Sequence, residues 1–133
     1  MGWKVKSTRS DETRTLSLGE FFDALEANGL PQIYGTYWSY NNGGNRYIGE
    51  FEIGAACALG QAALNLNTSY SNLEEALGEF KNSKGKSLTD SIIDRNDQSR
   101  WGVKQIAKYY RTKYANRLKE TFEIDINYEV VKD

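Results

Sequence analysis

Histidine is absent from this 133-residue chain, and cysteine, proline and methionine each occur once. Without histidine there is no Ser-His-Asp or Cys-His nucleophilic site, and the commonest metal ligand is missing. One cysteine, Cys57, and no histidine cannot assemble a zinc or iron–sulfur site within a single chain. No internal disulfide can form, and a lone thiol accords with a reducing compartment. Long apolar runs are lacking too. The least polar stretch, Ile53 to Leu66, is shorter than the roughly 20 residues that cross a bilayer. The opening residues Met1 to Lys6 carry no apolar segment of a signal peptide, and Lys6 stands where a myristoylation motif wants Ser or Thr. The expectation is a cytoplasmic chain with no membrane partner, no cofactor, no metal and no catalytic constellation.

What is present belongs to one globular domain over residues 1–133: 39% hydrophobic residues against 26% charged, with nine Tyr and three Trp. The formal net charge of −1 implies no global attraction to a polyanion. The small-residue run 53–66 reads as a buried central helix, because Ala, Leu and Gln favour helix and its apolar positions encircle the wheel.

Around it the other elements fall into order. Trp3 and Val5 alternate in a short strand, followed by a polar loop to residue 16. Ser17 and Glu20 form a capping box, and Leu18, Phe21, Phe22 and Leu25 then repeat at helical spacing to about residue 28. Two β-favouring runs, 32–40 and 46–53, flank Asn41-Asn42-Gly43-Gly44 and read as a hairpin turning at that tetrad. Ser71 with Glu74, and Ser87 with Asp90, predict caps of two further helices, the first ending near Asn82 and the second at 95–97. A last helix is expected from Gly102 to Phe122 with Val103, Ile106, Ala107, Tyr110, Tyr114 and Leu118 on its apolar face. Residues 123–131 alternate at period two and predict one terminal strand, paired with the hairpin or with residues 2–6. The expected class is therefore α+β: four or five helices around a buried small-residue helix, with a small antiparallel sheet of hairpin and terminal strand.

Three short motifs, Gln32-x-x-Gly35, Cys57-x-Leu-Gly60, and Asn96-Asp97 followed by Ile106-Ala107, occur in that order. Together they resemble a group of small, functionally uncharacterised proteins of phages and bacteria, in which a Cys-Cys-Leu-Gly helix precedes a Leu-Asn-Asp turn. The resemblance covers roughly residues 20–110 and departs at Ala58, Arg95 and Gly102. It implies a related fold and a phage or mobile-element origin, and brings no activity with it.

Most single candidates have a structural explanation. Cys57, among Ala and Leu, reads as a small packing residue. Gly54 to Gly60 has neither P-loop nor dinucleotide spacing. Asp94 to Gln98 lacks the glycine and the terminal glutamate of a calcium loop, so Asn96 and Asp97 are expected to bond local backbone amides. Two surfaces remain. The aromatic hairpin, with Tyr34, Tyr37, Trp38, Tyr40 and Tyr47, has the ring-rich composition of a protein-contact surface, for a host or phage protein or for a second copy. Tyr34, Trp38 and Tyr40 would share one strand face. Between Arg95 and Lys119 eight basic residues face one acid, a local charge of +7. Within it Arg100, Lys104, Lys108 and Arg111 form a stripe, and Tyr109 lies away from the apolar face, a pattern suited to nucleic-acid phosphates. Protein contact through the hairpin is the leading expectation, and nucleic-acid binding the alternative.

Overall fold

The structure, a computed structural model, describes residues 2–8, 12–27, 29–45 and 50–132. Among them are six strands, β1 (Trp3–Ser7), β2 (Thr13–Ser17), β3 (Trp38–Asn45), β4 (Glu50–Ala56), β5 (Thr121–Asp125) and β6 (Tyr128–Val131). Five α-helices accompany them: α1 (Leu18–Glu26), α2 (Ala58–Asn65), α3 (Tyr70–Leu77), α4 (Leu88–Asp97) and α5 (Val103–Lys113). The class is α+β, as expected.

Four strands form an antiparallel sheet in the order β3-β4-β1-β6, and β2 and β5 form a separate antiparallel pair. Strand β1 lies inside the larger sheet, so the terminal strand does pair with the opening one, Lys4 opposite Val131 and Ser7 opposite Tyr128. One sheet face carries Trp3, Val5, Phe51 and Ile53 into the core, and the other carries Lys4, Lys6, Glu50 and Glu52. That alternation is the period-two pattern of a sheet covered on one side.

Helix α2 is the centre of the helical layer. Ala58, Leu59, Gln61, Ala62, Ala63 and Leu64 are all fully buried, and α2 touches α1, α3, α4 and the sheet. It is shorter than the composition predicts. Ile53 to Ala56 belong to β4, because the ladders to β1 and β3 satisfy their backbone groups, and tertiary pairing overrides helix propensity. Cys57 is the N-cap, extended at φ −72° and ψ 174°. Gly60 is required by crowding: a Cβ there would lie 2.2 Å from the Tyr37 carbonyl oxygen.

Other boundaries move for equally local reasons. The Ser17–Glu20 capping box is present in full. The cap of α3 is Ser69 rather than Ser71, held there because the Asn127 side chain accepts from the Ser69 N–H. The cap of α4 is Ser87, as expected. Strand β2 replaces part of the anticipated loop; with Leu16 its one buried residue, it has no alternation to read. Helix α5 ends at Lys113 and not near residue 122, since the following chain is tied to the start of α1 by Gly19 N–H to Leu118 O and Leu18 N–H to Glu120 O. The single terminal strand is really two, broken where Asn127 and Tyr128 both donate to the Asn67 carbonyl. Residues 33–37 are irregular, and Asn41 to Gly44 lie within β3 rather than forming the turn.

Gly60→Ala is expected to lower the unfolding free energy by about 1–3 kcal/mol, the usual range for overpacking against backbone. Urea titration checks it. An unchanged midpoint would mean that the Tyr37 segment moves aside freely.

Candidate functional site

The three motifs carrying the resemblance are far apart in sequence and meet in one place. Asn96, at the end of α4, is 1% exposed and forms four hydrogen bonds. Its Oδ1 accepts from Gln32 Nε2 at 2.8 Å and from the Ala58 N–H at 3.0 Å. Its Nδ2 donates to the Ile33 carbonyl at 3.0 Å and to Asp97 Oδ1 at 2.7 Å. Asp97 in turn accepts from the Gly35 N–H at 2.9 Å. The expectation that Asn96 and Asp97 bond local amides is therefore corrected. Besides the Asn96–Asp97 bond, their partners are the 32–35 segment, more than sixty residues away, and Ala58, so they fix that segment against the start of α2.

Cys57 belongs to the same junction. Its Sγ accepts from the Gly60 N–H at 3.3 Å, and its own N–H donates to Tyr37 O. Burial pushes the thiol up from 9.0 to about 11, which outweighs the backbone donors that lower it. A protonated, 5% exposed thiol engaged as a helix cap is a poor nucleophile. A small cavity of about 160 Å³ lies beside it, bounded by Tyr37, Asp97 and Ile93 among others. The junction holds a loop, and among the described residues no cluster of three His, Cys, Asp or Glu could hold a metal.

The hairpin rings are largely turned inward. Trp38 is 7% exposed, packed edge-on against Tyr70 and Tyr128. Tyr37 stacks on Tyr70 at 4.3 Å and donates to Glu74 at 2.5 Å. Burial first, and the Glu74 carboxylate second, hold the Tyr37 hydroxyl above its ordinary value. Tyr34 and Tyr40 are the exposed rings, at 38% and 43%. Tyr34 does not share a strand face with Trp38 and Tyr40 as anticipated, because it lies in the irregular segment before β3. Tyr34 sits under the Arg100 guanidinium, and Tyr40 meets the edge of Phe51. Tyr47 lies outside the described residues.

The basic segment divides into two groups. Arg111 pairs with Asp23 at 2.7 Å and Glu26 at 3.3 Å, Arg117 pairs with Glu120, and Lys86 with Asp94. Arg95, Arg100, Lys104, Lys108, Lys113 and Lys119 have no carboxylate within 4.0 Å among the described residues, and three of them lie over rings instead. Arg95 covers Trp101 at 4.4 Å and Tyr109 at 5.5 Å, Lys113 is 5.3 Å from Tyr109, and Arg100 is 4.6 Å from Tyr34. The anticipated stripe is broken at both ends. Arg100 precedes α5 at φ 53°, and Arg111 is neutralised by α1. Tyr109 is half-buried against Trp101 and Tyr110 rather than standing clear of the core. Arg95, Trp101 and Lys113 were not singled out by the sequence reading, since their proximity depends on how α4 and α5 pack. Helix α5 carries four basic residues and no acid. At 100° per residue its Lys104 and Lys108 lie opposite Ile106 and Tyr110, while Tyr109 and Lys113 fall on the flank beside Ile106.

No family model, curated protein or solved structure matches the chain.

Two outcomes are expected at the junction. Asn96→Asp exchanges a donor to two acceptors for a second carboxylate beside Asp97. It is expected to destabilise by about 3 kcal/mol or more at neutral pH, measured by denaturant unfolding. Cys57 makes stability fall in alkali. Above pH 9 the unfolded thiol loses its proton while the folded one keeps it, so the folded state binds more protons and stability declines until about pH 11. Cys57→Ser, which keeps a capping atom, should show about 2–3 kcal/mol less decline over that window. Identical alkaline profiles would refute the assignment.

Proposed function

We propose that the chain is a non-enzymatic nucleic-acid-binding protein whose working surface is the basic face of α4 and α5. One observation carries the reading: five cations close together on these two helices and the turn between them, Arg95, Arg100, Lys104, Lys108 and Lys113, have no carboxylate partner among the described residues, while the neighbouring Arg111, Arg117 and Lys86 are neutralised. A cation held over a ring keeps its full charge for a phosphate, whereas one in an ion pair must first release its partner. The contact in this reading is to the phosphate backbone and sequence-independent. The resemblance supplies the setting, a phage or mobile element acting in the cytoplasm. No helix among the described residues is long and apolar enough to cross a membrane.

Protein contact through the hairpin has less support than the sequence alone lent it. Trp38 and Tyr37 contribute to the interior, which leaves Tyr34 and Tyr40 as separate exposed rings.

With about five phosphates neutralised, the logarithm of the association constant should fall against log salt with a slope of roughly −4 to −5 on duplex DNA. Lys104→Glu with Lys108→Glu should flatten that slope by about 2 and weaken binding at low salt, read by fluorescence anisotropy. Unchanged binding in the double variant would move the working surface elsewhere, to the exposed hairpin rings first.

A further inference from the structure

A cleft of about 290 Å³ lies between the 82–86 loop, the second half of α4 and the end of α5. It is at the lower end of the range for small-ligand sites. Three cations converge on it, Lys86, Arg95 and Lys113, with one acid, Asp94. Lys86 and Asp94 are bonded to each other, so the charge left to face a ligand is that of Arg95 and Lys113. These two are seated on one ring system: both lie over Tyr109, and Arg95 also lies over Trp101. Fixing two long side chains in this way removes much of the entropy that ordering them around a ligand would otherwise cost.

The walls supply hydroxyl donors. Tyr114 is 6% exposed, it lines the cleft, and its hydroxyl has no protein partner among the described residues. It is also not an orphaned buried atom, so it keeps some contact with solvent. Ser99 stands beside Arg95 Nη1 at 3.5 Å. Two of the helix-end carbonyls are already engaged: Asp94 O accepts from Gln98 and Ser99, and Tyr110 O from Tyr114. The loop wall is held by Asn82, whose Oδ1 accepts from the N–H groups of Lys84 and Lys86.

We infer that this cleft binds a phosphate monoester, with Arg95 and Lys113 facing its charge and the Tyr114 and Ser99 hydroxyls donating to its oxygens. Two cations match a group that carries about −1.5 to −2 at pH 7. Oxygens that only accept suit a site whose free groups are donors. The site shares Arg95 and Lys113 with the proposed polynucleotide surface but can be tested separately from it, because Lys104 and Lys108 lie on a different flank of α5 from Lys113.

The test is calorimetric titration of the full chain at low ionic strength with inorganic phosphate and, separately, with adenosine monophosphate, against chloride and sulfate. Saturable one-site binding of phosphate is expected, retained in the Lys104→Glu/Lys108→Glu variant and weakened at least about tenfold by Arg95→Gln or Lys113→Gln. Tyr114→Phe should weaken it about five- to tenfold without changing the circular dichroism spectrum. Tighter binding of the nucleotide would assign the source as a nucleoside phosphate, and equal binding would assign the phosphoryl group alone; either supports the site. No saturable binding of either probe would overturn it. So would binding that survives both cation substitutions, or that chloride reproduces. Phosphate binding with no retention of DNA would leave this site standing and remove the polynucleotide reading.

Discussion

The fold depends on how the irregular segment 29–37 is made tolerable next to the core. A chain with no regular structure there presents backbone donors and acceptors that would be costly to bury unbonded. Two amide side chains meet that demand. Gln61, in the middle of α2 and fully buried, accepts from the Gly29 and Leu30 N–H groups and donates to the Leu30 and Ala56 carbonyls. Asn96 does the same one turn of chain further on, from α4. Each amide has donors on one side and acceptors on the other, so its orientation is set by its partners and every hydrogen-bonding position is used. The junction joins β4, α2, α4 and the segment before β3 without disulfide or metal.

Once that segment is fixed, the aromatic residues follow. Trp38 enters β3 pointing into the core, and a continuous set of rings, Tyr37, Tyr70, Trp38, Tyr128, Phe51 and Tyr40, runs from the loop across the inner face of the sheet. Edge-to-face and stacked pairs of this kind add to the free energy of burial and fix the relative positions of strands and α3. The high aromatic content of the chain is thus mainly an interior property. The hydroxyl of Tyr37 needs a partner where it lies, and Glu74 provides it.

Charge is distributed by the same packing. Helix α1 brings Asp23 and Glu26 to Arg111, which removes that residue from the free surface. Helix α4, which packs against α5, carries Asp90, Asp94 and Asp97, but Asp94 pairs with Lys86, and Arg95, Lys113 and Arg100 rest on Trp101, Tyr109 and Tyr34. A chain of formal net charge −1 consequently has one face of strongly positive character. Local field rather than net charge governs what such a face attracts.

The sequence by itself determined the class, the central position of the Ala-rich helix, the Ser17–Glu20 and Ser87 caps, and the excess of positive charge after residue 95. These rest on signals within a few residues of one another: helical periodicity, side-chain to backbone caps, and composition. Tertiary structure alone decided that Ile53 to Ala56 are strand, that β2 exists with Leu16 as its one buried residue, that the terminal segment divides between two partners, and that Asn96 bonds across more than sixty residues. It also decided which rings are buried and which cations are neutralised. The physical reason is common to all of these. A backbone group or a charge is satisfied by whatever lies beside it in space, and local sequence does not record that neighbour.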